Sequence, residues 1–280
     1  MSKSDLEYLN KRYLKNKGKK MVPKASLQFE IHIAEHCNLN CKGCDNFSPL
    51  AVKSFPCFEN VAKDFTRLKE LFQDRCTRIL LLGGEPLLNP ELPQYMELAR
   101  RCFPSATVTI VTNGIMFSKM SDDFWHACRS YNIELSVSRY PVSDECYSVG
   151  EQKSKEYDIC YYYNNTEPKI MYKNPFSLEK KHDANTNFIL CHKANNCITL
   201  KEGKLYTCTL IPNIVHFNTY FHKDMQVLDG DGINIYEADD ADQILEYLAK
   251  PTEFCKYCNL YESKFSIEWG ISRKSIEEWI

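Results

Sequence analysis

The chain has no run of eighteen consecutive apolar residues, which removes the ordinary signature of a membrane-spanning helix. Residues 1–24 lack the apolar core of a secretory signal, so a cytoplasmic setting is expected. An excess of one charge is missing too: 35 Lys and Arg stand against 37 Asp and Glu, leaving no basic field to hold nucleic acid. Neither nucleic acid nor membrane is expected as a partner; a small or peptidic substrate is. The acidic stretch 229–242 does not have the spacing of a calcium loop. Cys57, Cys76, Cys102, Cys128, Cys146 and Cys160 have no ligand spacing and read as buried, inert thiols.

What is present is an apolar fraction of 44% over 280 residues, enough for one α/β barrel-sized domain with a small appendage. The remaining cysteines cluster as ligand patterns without an export signal, which points to metal in a reducing compartment rather than to disulfides. Cys37, Cys41 and Cys44 follow a strand-like run, Leu27 to Ile33. A loop this tight can aim three thiolates at one point. Three thiolates satisfy three irons of a 4Fe–4S cube and leave the fourth open for a cofactor. Half a zinc site and three unrelated buried thiols are the competing readings.

In Leu27 to Ile33, Leu27, Phe29, Ile31 and Ile33 share one face and Gln28, Glu30 and His32 the other. In a barrel wrapped by helices the apolar face looks outward, so the polar set should line the lumen. Cys57 to Asp74 reads as a helix with a buried stripe of Val61, Phe65, Leu68, Leu71 and Phe72. A strand at 78–82 runs into Gly83-Gly84-Glu85-Pro86, where the glycines would let backbone approach a ligand and Glu85 would offer an acceptor. A helix at 93–101, a strand at 106–111 ending in Thr112-Asn113-Gly114, a helix at 122–130 with Ser121 as N-cap, and a strand at 133–138 continue the rhythm. The last strand puts Glu134, Ser136 and Ser138 on the lumen side, with Arg139 at the mouth. Strands at 159–163 and 169–172 would complete a partial (β/α)6 TIM-type barrel. Residues 1–24 carry eight Lys or Arg, with Leu6, Leu9 and Tyr13 at helical spacing, and read as a basic helix that Pro23 ends.

The two motifs, Cys-x3-Cys-x2-Cys after the first strand and Gly-Gly-Glu-Pro after the second, lie about forty residues apart at strand ends. Together they resemble the radical S-adenosylmethionine (SAM) superfamily. The resemblance implies a 4Fe–4S cluster on Cys37, Cys41 and Cys44 that binds SAM and generates a 5′-deoxyadenosyl radical. It implies that Gly83, Gly84 and Glu85 meet the methionine amino group and Asn113 and Ser136 the ribose, with Ser138 or Arg139 holding the methionine carboxylate or the substrate. For Arg139 a surface salt bridge is the other reading. Where the family usually has an aromatic before the third cysteine, this chain has Gly43, and Phe47 is the candidate replacement beside the adenine.

From Cys191 the pattern changes. Ile198 to Cys208 reads as two short strands joined at Glu202-Gly203. Cys191, eleven residues, Gly203, four residues, Cys208, and later Cys255-x2-Cys258 after a helix at 242–250, supply four thiolates. This resembles the twitch domain, a shortened relative of SPASM, and implies a second, auxiliary 4Fe–4S cluster on Cys191, Cys208, Cys255 and Cys258. Cys197 could replace Cys191, and a structural zinc on the same four cysteines competes. The expected division is 1–24 basic helix, 25–185 barrel, and 186–280 auxiliary domain and tail. In that tail Trp269, Ser272 and Trp279 should pack back over the barrel.

A fully ligated second cluster can accept an electron from a substrate radical. A small twitch enzyme of aminoglycoside biosynthesis oxidises an alcohol in this way, so dehydrogenation of a sugar-like or polyol substrate is the favoured reaction. A peptide-modifying maturase and a redox-neutral sugar epimerase are the alternatives. An external electron donor such as flavodoxin or ferredoxin is implied as partner. The catalytic base is not identifiable.

Overall fold

The computed structural model describes residues 3–142, 144–261 and 266–280, with side chains from residue 6 onward. Helix α1 (Lys3–Asn16) precedes β1 (Leu27–Ala34), α2 (Phe58–Phe72), β2 (Cys76–Gly83), α3 (Leu92–Cys102), β3 (Thr107–Thr112), α4 (Asp122–Ser130), β4 (Ile133–Val137), α5 (Glu145–Glu156) and β5 (Tyr161–Tyr163). Each of these strands pairs parallel with the next, β1 with β2 through β4 with β5. The alternation in β1 decides which face carries helices. Phe29 packs edge-on against Phe65 of α2 at 5.9 Å and against Phe103 at 5.7 Å, and Leu27, Ile31 and Ile33 are buried beside it. The opposite face is polar. Arg78 of β2 reaches Thr109 of β3, Glu134 of β4 and Tyr162 of β5, a ladder across four strands.

The second half of the chain adds β6 (Ile170–Tyr172), α6 (Ala184–Leu190), β7 (Ile198–Lys201), β8 (Lys204–Tyr206), α7 (Leu210–Phe221), β9 (Gly232–Asn234), α8 (Ala241–Leu248) and β10 (Ser266–Glu268). The sheet order is β5-β4-β3-β2-β1-β7-β8-β9. The fold is therefore α/β, a partial TIM-type barrel around a mainly parallel sheet. Its sixth parallel strand is not the one expected at 169–172. That segment is β6, which pairs antiparallel with β10 outside the main sheet. Ile170 and Tyr172 are exposed and have no apolar face to bury under a helix. The sixth place falls to β7, which lies parallel to β1, so the hairpin β7–β8 continues the barrel sheet.

Helix α1 also ends earlier than Pro23 suggested. It stops at Asn16, whose carbonyl accepts from the N–H groups of Lys19 and Lys20, with Gly18 at φ +83° making the turn. No helix among the described residues is long and apolar enough to cross a membrane.

Helix α7 is fixed to the sheet through His32. The Asn213 amide nitrogen lies 3.3 Å from Nδ1, and the Thr209 hydroxyl 3.2 Å from Nε2. This pattern suits a neutral ring, because an Nδ1 proton would point at an amide donor. Complete burial pulls the His32 pKa down to about 4. With the folded value below the ordinary one, the unfolded chain takes the proton first as pH falls, so this contribution is whole above about 6.5 and lost towards 4. Urea unfolding at pH 7 and pH 5 should cost the wild type about 2 kcal/mol more than His32→Gln. An equal loss in both proteins would assign the acid sensitivity elsewhere.

Candidate functional site

The loop leaving β1 is coiled by positive φ at Asn40 (52°) and Gly43 (64°), which turns three cysteines towards one space. Cys37, Cys41 and Cys44 wall a cavity of about 160 Å³ together with Gly83, Asn113 and Tyr140. The C-terminal tail clasps the loop from behind. Lys42 N–H donates to Gly270 O (2.7 Å), Ser272 N–H to Asn40 O (2.8 Å), and Trp279 Nε1 to Cys44 O (2.9 Å). Trp269 Nε1 donates to the Cys41 sulfur at 3.2 Å. The tail also passes close to Gly43: a Cβ there would lie 2.9 Å from Glu278 O. That contact leaves no room for an aromatic side chain at this position.

The Gly83–Gly84 pair is required by the neighbouring chain. A Cβ on Gly83 would lie 2.2 Å from Ala34 O, and one on Gly84 2.0 Å from His36 O. Without them the backbone zips onto the β1 exit through Gly84 N–H to Ala34 O and Glu85 N–H to His36 O. Both glycines still line the cavity. Glu85 does not: its carboxylate is fully buried and accepts from the Thr112 hydroxyl (2.5 Å), Asn113 N–H (2.9 Å) and Leu87 N–H (3.0 Å). Burial pushes its pKa up to about 7 against those three donors. Its place corrects the expectation of an acceptor facing a ligand, because its hydrogen bonds set the β3 exit and the turn that follows β2.

That exit puts Asn113 on the cavity wall, where Nδ2 donates to Asn38 Oδ1 at 2.8 Å and lies 3.6 Å from the Cys37 sulfur. Ser138 also lines the cavity, its hydroxyl donating to Asn164 Oδ1. Ser136 is buried one step below and accepts from Asn164 Nδ2. Arg139 is turned away from the expected mouth: its guanidinium stacks on Tyr163 (4.9 Å) and Tyr147 (5.7 Å) and meets Asp144 at 3.4 Å. Phe47 is no adenine platform either, since it is wholly buried among Phe176, Phe217 and Trp279. Tyr140 on the cavity wall and Trp269 at the Cys41 sulfur lie beside the cysteines, with rings 5.8 Å apart. Tyr140 lay unmarked in the sequence, and only its place just after a lumen strand could have pointed to it.

Cys191, Cys208, Cys255 and Cys258 are buried in one apolar cluster that also holds Phe47 and Trp279. Burial raises the pKa of Cys208, Cys255 and Cys258, and the charge of neighbouring cysteines of this group raises each further. Cys197 stands apart: it faces Glu30 and Lys193, and burial raises its pKa. Cys191 accepts from Asn174 Nδ2 and Ala194 N–H, both at 3.3 Å, while Asn187 holds the carbonyls of Cys255 and Cys258. Asn174 N–H also donates to Asp45 beside Cys44, and Asp45 forms a buried ion pair with Lys193. These residues join the two thiol groups, and no local pattern in the sequence marked them.

A wider crevice of about 770 Å³ opens beside the β1 exit. In it Glu35 holds Lys201 (2.9 Å) and His216 of α7 (2.6 Å). Burial alone would raise the Glu35 pKa, but the His216 hydrogen bond and the Lys201 charge outweigh it and hold the carboxyl at about 2.

The donor sets suit iron–sulfur clusters. All fourteen cysteines are free, and N–H groups point at the sulfurs of Cys37, Cys41 and Cys191, as sulfur-rich anionic groups require. Among the described residues no three His, Cys, Asp or Glu side chains are placed to hold a single metal ion.

An α/β partial barrel with three cysteines at the exit of its first strand defines the class, and the family comparison gives it a name. Residues 31–143 match the family model of the radical SAM superfamily, and this stretch is a radical SAM domain. The chain is 30% identical over 95 residues to a GTP 3′,8-cyclase of Desulforamulus reducens, covering 33% of this chain and 29% of that protein. It is 26% identical over 145 residues to an S-adenosylmethionine-dependent nucleotide dehydratase of Lacinutrix mariniflava, covering 48% and 26%. The matched stretch thus spans under a third of each of these two relatives. Among solved structures, BtrN in complex with AdoMet and 2-DOIA superposes with a TM-score of 0.53 at 17% identity, over 85% of this chain and 94% of that one. The anSMEcpe structure with bound AdoMet gives 0.50 at 14% identity, over 85% and 84%. At these identities the likeness is one of fold.

Lys193 and Asp45 carry side chains only 11% and 10% exposed, so removing one charge strands the other. Asp45→Asn should lower the unfolding free energy by roughly 3–5 kcal/mol, whereas the double variant Asp45→Asn, Lys193→Met should recover at least half of that loss. Chemical denaturation of the three proteins measures it; a double variant as unstable as the single would exclude the charge as the cause.

Proposed function

We propose that the chain is a radical SAM oxidoreductase that dehydrogenates an alcohol carbon of a small, polar, sugar-like substrate. The observation that carries this reading is the pairing of a three-cysteine loop with a second, buried group of four cysteines bridged to it through Asp45, Asn174 and Lys193. Cys37, Cys41 and Cys44 would hold the cluster that binds SAM. Cys191, Cys208, Cys255 and Cys258 would hold an auxiliary cluster within residues 186–280, a region whose hairpin β7–β8 continues the barrel sheet. When bound, these groups supply a 5′-deoxyadenosyl radical and a one-electron acceptor, so the alcohol carbon loses a hydrogen atom, then an electron, and its hydroxyl a proton.

The chain's own residues bind and orient. Asn113 and Ser138 present polar groups on the cavity wall, and Glu85 holds Asn113 in place from beneath. Tyr140 and Trp269 close one side and keep water from the Cys41 sulfur. The polar lumen face of Arg78, Glu134 and Tyr162 favours a hydroxylated substrate over an apolar one. BtrN, whose fold the chain shares, carries AdoMet with 2-DOIA, which agrees with a small-molecule substrate. An external low-potential donor such as flavodoxin or ferredoxin would reduce the first cluster.

Anaerobic reconstitution should give about eight irons and eight sulfides per chain, falling to about four in a Cys255→Ala, Cys258→Ala variant. The reconstituted wild type with dithionite should form 5′-deoxyadenosine from SAM, and Cys41→Ala should not. About four irons in both proteins, with zinc lost from the variant, would make the second group structural and remove the oxidation from the reading.

A further inference from the structure

Away from the barrel mouth, α1 and the segment after Cys191 enclose a cavity of about 690 Å³. Its lining includes Lys11, Arg12, Lys15, Lys19 and Lys20, and among the described residues it includes no Asp or Glu. Like charges gathered in a concavity repel one another, and an entering anion would relieve that repulsion. Lys11, Lys15 and Lys19 are exposed and could be solvated, and by themselves would mark only a polar helix face.

Lys20 is different. It is 9% exposed, and its ammonium has no hydrogen bond or ion pair with any described residue, while its carbonyl is held by Asn195 Nδ2. Its stem is packed away while the ammonium reaches the cavity, where no described carboxylate offsets its charge. The early end of α1 creates this position: after Asn16 the chain turns at Gly18 and brings Lys20 back under the helix, beside Cys191.

We propose that this cavity is a binding site for a diphosphate group, carried by a nucleotide or as the free ion. The volume lies in the range of small-molecule sites, which favours a small ligand over a docked protein surface. Two linked phosphates would engage Lys20 at depth and Lys15 and Lys19 nearer the rim, in charge-assisted hydrogen bonds. The site is separate from the three-cysteine cavity and does not depend on the radical reading, although its shared wall at Cys191 would let bound anion and the second thiol group sense one another.

Isothermal titration of the anaerobically reconstituted wild type with inorganic pyrophosphate and with UDP, in 150 mM sodium chloride, tests the proposal. One pyrophosphate per chain should bind saturably. Lys20→Met should weaken it about tenfold or more, and so should Lys15→Gln with Lys19→Gln, a pair on the exposed helix face whose folding is not at issue. Tighter binding of UDP assigns the diphosphate to a nucleotide, and equal binding assigns it to the free ion; both uphold the site. Absence of saturable binding overturns it. Equal affinity of wild type and both variants also overturns it, and would make Lys20 a counter-charge to the neighbouring thiols. Formation of 5′-deoxyadenosine by the same preparations reports separately on the radical chemistry.

Discussion

The ion pair of Lys193 with Asp45 is the constraint on which the rest of the arrangement depends. Neither charge has water to fall back on, so each requires the other, and they belong to segments separated by almost the whole barrel. Asp45 follows the last cysteine of the first loop, and Lys193 comes two residues after Cys191. Asn174 repeats the connection by touching both Asp45 and the Cys191 sulfur. Two cysteine groups that look independent in the chain are thereby held at one separation.

Much of the barrel was legible because its strands and helices are long and each has one clean face. The stripe at Val61, Phe65, Leu68 and Phe72 and the alternation in β1 met their expected partners, and α4 fell on its anticipated residues. The second half resisted for physical reasons. Strands of three residues such as β5, β6, β9 and β10 carry too few side chains to display a period, and pairing decides their place. Helix α7 passed unnoticed although Leu210, Ile211, Ile214 and Phe217 stand at helical spacing, because Pro212 and several β-branched and aromatic residues weaken its propensity. With it went His216 and Asn213, and so the polar crevice beside β1.

At the candidate site, the cysteine loop and Asn113 were visible as motif residues, while the direction in which Glu85 and Arg139 point was not. Both are charged residues at strand exits, and for such residues a ligand, a buried network and an aromatic stack are equally consistent with the local pattern. The partners that settle the matter, Thr112 for one and Tyr163 for the other, belong to different strands. Gly43 is a related case. Its departure from an aromatic residue made no sense locally and follows from the passage of a backbone some 235 positions away.

The clasp formed by Gly270, Ser272 and Trp279 also sets an order of events in the life of the molecule. The βα repeats up to β5 rest on near neighbours and can assemble while the chain is still being made. The loop bearing Cys37, Cys41 and Cys44 lacks its backing until residues more than two hundred positions downstream have emerged. Whatever machinery fills that loop therefore meets either an open, pliable hook on a nascent barrel or a finished clasp, and only the second holds the three sulfurs in place.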